Sequence, residues 1–87
     1  MDLAKAIISP YLARANLDTT KMYQKVDKVN GQEILTPVGK FVRCYRMGSG
    51  DGMTIHWEFE LLGNKITIDD DMWASRGNQA FVGFREV

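Results

Sequence analysis

Cys44 and His56 are the only cysteine and the only histidine in this 87-residue chain, and Glu58 follows His56 by two positions. If the segments that carry them pair as antiparallel strands with Lys40 opposite Glu60, Cys44 faces His56 on the outer surface of a sheet, and Glu58 shares that surface. A thiol beside an imidazole is the minimal nucleophile–base pair of a thiol-dependent enzyme. Against that chemistry, the outer face of a small sheet supplies no cleft and no oxyanion donors, and a lone histidine in a strand is more often an ordinary surface residue.

The run Gly48-Ser49-Gly50-Asp51-Gly52 has the glycine content of a loop that cradles an anion. A phosphate loop, however, runs from a strand into a helix through Gly-Lys-Ser/Thr, whereas this run leads into an amphipathic strand. A hairpin connection is the plainer use, with Ser49 and Asp51 as the residues that would touch a ligand. Asp69, Asp70 and Asp71 offer carboxylates for a hard cation, but consecutive strand residues point to alternate sides and do not converge. The calcium-loop spacing is missing, and the sequence contains no cofactor motif.

Arginine and tryptophan are enriched in protein-binding hot spots. Arg43, expected opposite Trp57, either stacks on that indole at the rim of the core or joins Trp57, Trp73 and Arg76 as an anchor for a partner.

The elements that must position these groups follow from hydrophobic spacing. Leu3, Ile7, Ile8, Tyr11, Leu12 and Ala15 recur at helical intervals. Pro10 means that this segment is either kinked or restarts with Ser9 as N-cap. Asp18 as N-cap, Met22, Val26 and Val29 at helical spacing and a stop at Asn30-Gly31 predict a second helix. The rival reading is a hairpin that pairs Val26 with Leu35 across Asn30-Gly31.

From Val38 onward the period is two. Met53, Ile55, Trp57, Phe59 and Leu61 share one face, and Thr54, His56, Glu58 and Glu60 share the other. A preceding strand is expected to set Met47, Tyr45, Arg43 and Phe41 against Met53, Ile55, Trp57 and Phe59. A turn at Gly63-Asn64 would set Leu61 against Ile66 and Phe59 against Ile68. Ala80 to Val87 reads as a last strand in which Gly83 marks a bulge.

Residues 1–87 therefore read as one α+β domain, an N-terminal helical segment packed on a three- to four-stranded antiparallel β-meander. The alternative is a small five-stranded β-barrel in which Gln32 to Thr36 is also a strand.

Composition narrows the function classes. Eleven basic and eleven acidic residues cancel, leaving no net field to draw the chain onto nucleic acid or an anionic membrane. The single cysteine excludes an intramolecular disulfide and fits a cytoplasmic or other reducing compartment. No stretch reads as a membrane span or secretory signal.

The expectation is a non-catalytic protein–protein interaction module, such as an assembly subunit, adaptor or inhibitor, whose partner is another protein or a second copy. The last strand as an edge for strand addition and five methionines adaptable at an interface support it. The alternatives are a nucleic-acid-associated domain using Lys21, Lys25 and Lys28 on the second helix, and a small thiol-dependent enzyme using Cys44 and His56.

Overall fold

The computed structural model describes residues 6–48, 54–71 and 80–87. In chain order the elements are α1 (Pro10–Asn16), β1 (Met22–Val29), β2 (Gln32–Met47), β3 (Thr54–Leu61), β4 (Asn64–Asp71) and β5 (Phe81–Glu86). The five strands form one antiparallel sheet in the order β4-β3-β2-β1-β5. Its two outer strands, β4 and β5, do not pair with each other, so the sheet is open and not a barrel. The strand at Gln32 to Thr36 is nevertheless present, as the first part of β2.

The first segment restarts at Pro10 and does not run through it. Ser9 is the N-cap, its hydroxyl accepting from the Leu12 amide, and Pro10 occupies the first turn, where its missing N–H costs nothing. Upstream, Ile8 is extended and exchanges backbone hydrogen bonds with Phe84, laying the N-terminal segment along the far edge of β5.

The second helix expected from Asp18 is absent; β1 stands in its place and forms the rival hairpin, with Val26 opposite Leu35. Asp18 does cap, but it caps a turn. Its carboxylate accepts from the Thr20 amide at 2.8 Å and the Thr20 hydroxyl at 2.7 Å, and its own amide donates to the Tyr23 hydroxyl at 2.8 Å. The residue type that starts helices also closes such local turns. Asn30 and Gly31 both adopt positive φ, which suits a two-residue hairpin whose twist matches the strands.

The β3–β4 turn uses Leu62 and Gly63, not Gly63 and Asn64. Phe59 therefore faces Ile66 and Trp57 faces Ile68, two residues from the expected register. A shift of two keeps every side chain on its face, so alternation could not distinguish the registers.

The β2–β3 register departs by one residue. Lys40 faces Glu60 and Phe41 faces Phe59, as the sequence predicts. An irregularity at Val42 then sets Arg43 against Glu58, Cys44 against Trp57, Tyr45 against His56, Arg46 against Ile55 and Met47 against Thr54. Without this bulge Arg43 would point into the core opposite Trp57, a charge buried against apolar rings. The bulge turns it out and places the small Cys44 there instead.

The core is an aromatic cluster under α1. Trp57, Phe59 and Phe84 are fully buried, with Tyr23, Val38, Phe41, Ile55 and Ala13 around them. Trp57 meets Phe84 edge-on at 5.3 Å between ring centroids, and Phe59 tilts against Phe84 at 5.1 Å. The one polar atom of the buried indole is satisfied, because Trp57 Nε1 donates to the Ala13 carbonyl at 3.0 Å and so fastens α1 to the sheet. Gly39 lets β2 approach β3. At φ +89° a Cβ there would lie 2.2 Å from the Glu60 carbonyl oxygen.

These contacts set the expected effects of substitution. Phe59→Ala lowers stability by ~3–5 kcal/mol in chemical denaturation, and Gly39→Ala lowers it by ~1–3 kcal/mol from backbone strain alone. Leu62 is 93% exposed with φ +52°, so Leu62→Asn raises stability by ~0.5–1.5 kcal/mol, since Asn tolerates the left-handed region better.

Candidate interaction surface

The face of β2, β3 and β4 turned away from α1 carries a connected set of polar and aromatic side chains. Glu58, in the middle strand, accepts from Arg43 Nε at 3.3 Å on one side and pairs with Lys65 Nζ at 3.4 Å on the other. Arg43 also lies over the Tyr45 ring at 4.7 Å, and Tyr45 stacks on His56 with ring centroids 5.0 Å apart. His56 Nδ1 is hydrogen-bonded to the Asp69 carboxylate. A carboxylate only accepts, so that nitrogen carries the proton. The chain of contacts thus runs from Lys65 through Glu58, Arg43, Tyr45 and His56 to Asp69.

Cross-strand geometry explains why five of these six meet. Arg43, Glu58 and Thr67 are successive partners across the three strands, as are Tyr45, His56 and Asp69, and directly opposed side chains share a face; Lys65 is opposite Glu60 and reaches Glu58 diagonally. The centre of the surface is covered and its rim exposed. Only 13% of the Glu58 side chain is accessible, against 61% for Arg43, 64% for Lys65 and 57% for Asp69.

Partial burial of Glu58 works to raise its pKa, but hydrogen bonds from Arg43 and Lys65 outweigh that effect and hold the carboxyl below its usual value. At the other end of the sheet, Arg85 grips Glu33 through both guanidinium nitrogens, at 2.9 and 3.2 Å.

The thiol–imidazole pair is not assembled. The bulge at Val42 turns Cys44 to the core side opposite Trp57, while His56 lies on the outer side against Tyr45 and Asp69. Burial pushes the Cys44 thiol above its usual pKa, with Arg14 pulling weakly the other way. Cys44 floors a shallow depression of about 330 Å³ between α1 and the sheet, shared with Arg14, Ala15, Tyr45, Arg46 and Ile55.

Of the residues expected to anchor a partner, the structure separates Arg43 from Trp57. Arg43 is on the exposed outer face, stacked on Tyr45 and not on the indole; Trp57 is buried without accessible surface. Trp73, Arg76, Ser49 and Asp51 lie outside the described residues, and Met47, expected opposite Met53, pairs instead with Thr54. Asp69 to Asp71 are the last residues of β4, and the residues that follow them, 72–79, lie outside the described residues.

The helix expected to carry Lys21, Lys25 and Lys28 is absent; Lys25 and Lys28 lie in β1 and Lys21 just before it. Lys25 lies over the Phe81 ring and pairs with Asp27 at 3.2 Å, and Lys21 pairs with Glu86 at 3.6 Å.

No local feature of the sequence marks Tyr45 and Asp69 as the partners of His56. The signal that would reveal Tyr45, a bulge one turn of the pleat earlier, has no residue signature at Val42. Among the described residues no cluster of histidine, cysteine and acidic side chains has the arrangement of a metal site, and no helix is long and apolar enough to cross a membrane. Comparison with protein-family models, curated proteins and solved structures finds no match for the chain.

Because Glu58 has a depressed pKa in the folded chain, its contribution to stability is complete above its unfolded value, about 4.3, and is lost as pH falls through the folded value. The gap in melting temperature between wild type and Glu58→Gln is therefore constant near neutrality and narrows below about pH 4; a gap independent of pH contradicts this. Cys44, with its raised pKa, reacts with iodoacetamide at pH 7 more slowly than free cysteine does, and unfolding in denaturant restores the rate.

Proposed function

We propose that the chain is a non-catalytic protein–protein interaction module that binds through the outer face of β2, β3 and β4 and the edge of β4 beside it. The observation that carries this reading is the Lys65–Glu58–Arg43–Tyr45–His56–Asp69 array. Its members are exposed at the rim, yet each is held by a neighbour through an ion pair, a stack or a hydrogen bond.

Side chains already held in place lose less rotamer freedom when a partner docks, so more of the contact energy survives as affinity. Arginine and tyrosine are also, with tryptophan, the residue types enriched at the energetic centre of protein interfaces.

Charge favours protein over nucleic acid as the partner. The face sets Arg43 and Lys65 against Glu58 and Asp69, and carboxylates among the cations repel a phosphate backbone that a basic stripe would attract. A mixed-sign surface instead suits a complementary mixed-sign surface, which gives specificity through register.

Capture from native lysate, with and without nuclease, tests this. Wild type is expected to retain a protein at fixed stoichiometry after nuclease treatment, and the Arg43→Glu/Tyr45→Ala double variant, folded as judged by circular dichroism, is expected to lose it. Capture that nuclease abolishes, or that the double variant leaves intact, contradicts the proposal.

A further inference from the structure

We infer that the open edge of β4 is a self-recognition edge, on which a second copy of this chain adds antiparallel about Thr67 so that two sheets become one. The inference rests on the interaction reading above and names its partner.

Among the described residues β4 pairs with β3 alone, whereas the far edge of β5 is engaged by Ile8. Exposed edges in proteins are ordinarily blunted by bulges, prolines, brevity or charged side chains; of these β4 has the charges, Lys65 and Asp69 to Asp71, whose opposite signs repel or attract a second strand according to its register. β1, β2 and β5 carry register shifts, but the eight residues of β4 pair with β3 without a break and include no proline. An edge this regular is a template for another strand.

Hydrogen-bond parity fixes which groups that template offers. A two-residue turn at Leu62 and Gly63 makes Leu61 and Asn64 the hydrogen-bonded pair that closes the hairpin. Alternation along an antiparallel ladder then directs the amides and carbonyls of Ile66 and Ile68 to β3, and those of Lys65, Thr67 and Asp69 to the open side. A twofold axis at Thr67 sets one Thr67 against the other as a hydrogen-bonded pair, with outward-pointing groups on both strands.

The side chains select the same centre. Around Thr67, Lys65 of each copy faces Asp69 of the other, and Ile66 faces Ile68, so both charges and both apolar residues are matched. Because opposed residues must share a face, the register can slip only in steps that move the axis by a whole residue. With the axis at Ile66, Asn64 faces Ile68 and Lys65 faces Thr67. With the axis at Ile68, Ile66 faces Asp70. With the axis at Lys65 or Asp69, a like-charged pair meets at the centre. Only the Thr67 axis satisfies every pair.

The matched groups are also accessible. The Lys65 and Asp69 side chains are 64% and 57% exposed while contacting Glu58 and His56, so a neighbouring strand can extend both contacts without breaking them. Half-buried Ile66 and Ile68 lie at the margin of the core, where the same residues of a second copy would cover them.

Sedimentation velocity from about 1 μM to about 1 mM tests the inference. Wild type is expected to shift from monomer to dimer within this range. Thr67→Pro removes an amide donor that does not serve β3, so it is expected to abolish the dimer while leaving the far-ultraviolet circular dichroism unchanged. Lys65→Asp and Asp69→Lys separately place like charges face to face and each weakens dimerisation about 10-fold or more; the two together exchange the charges and bring it back to within about 3-fold of wild type.

A wild type monomeric throughout, or a dimer indifferent to Thr67→Pro, overturns the inference. If Thr67→Pro loses its folded spectrum, the charge exchange decides, and failure of the double variant to recover overturns it as well. A monomeric wild type that still captures a protein lost on Arg43→Glu/Tyr45→Ala overturns self-pairing alone and leaves the broader interaction reading standing.

Discussion

The register between β2 and β3 governs the rest of the structure, and a single extra residue at Val42 sets it. Side chains in a strand alternate, so one inserted residue exchanges the faces of everything beyond it. Upstream of Val42, Phe41 points to the core. Downstream, without the insertion, Arg43 and Tyr45 would follow it inward and Cys44 would stand beside His56. With it, Cys44 lies under Trp57, and Arg43 and Tyr45 reach the outer face. A charge that would be costly to bury becomes the exposed end of a surface network, and the thiol is withdrawn from the sole imidazole.

The same bulge links core and surface. The buried indole of Trp57 needs a small opposing residue and a partner for its nitrogen; Cys44 supplies the first and the Ala13 carbonyl of α1 the second. On the reverse side of β3, Glu58 and His56 then find Arg43 and Tyr45 directly opposite. Packing on one face and polar order on the other are thus two results of one backbone irregularity, which is why substitutions in the core are expected to disturb the outer face by shifting β3. β4, which follows β3 without a bulge, inherits the order and presents it at an edge that no other described strand covers.

Much of this was legible in the residues, and what was not has identifiable causes. The alternation from Ile55 to Leu61 correctly assigns Trp57 and Phe59 to the core, and Lys40 opposite Glu60 fixes the start of the β2–β3 ladder. Ser9-Pro10 is one of the stronger helix-start signals and works as one. The segment after Asp18 misleads because Met22, Val26 and Val29 fit a helix while the hairpin turn at Asn30-Gly31 fits a strand pair, and the capping residue serves both. The β3–β4 turn is displaced by one residue and the pairing register therefore by two, a shift that period-two patterns cannot reveal. The bulge at Val42 is the consequential omission. Its cause is tertiary: Arg43 must leave the core, and nothing local to Val42 announces how. The array around His56 was therefore hidden, although Arg43, His56 and Glu58 were each in view.

The most direct test of this account is the set of cross-strand proton contacts between β2 and β3, measured by nuclear Overhauser spectroscopy on the isotopically labelled chain. The account predicts backbone contacts that pair Cys44 with Trp57, Tyr45 with His56 and Arg46 with Ile55. Contacts that pair Cys44 with His56 and Arg43 with Trp57 would mean an unbulged ladder, an inverted outer face and no array of the kind described, and would contradict it.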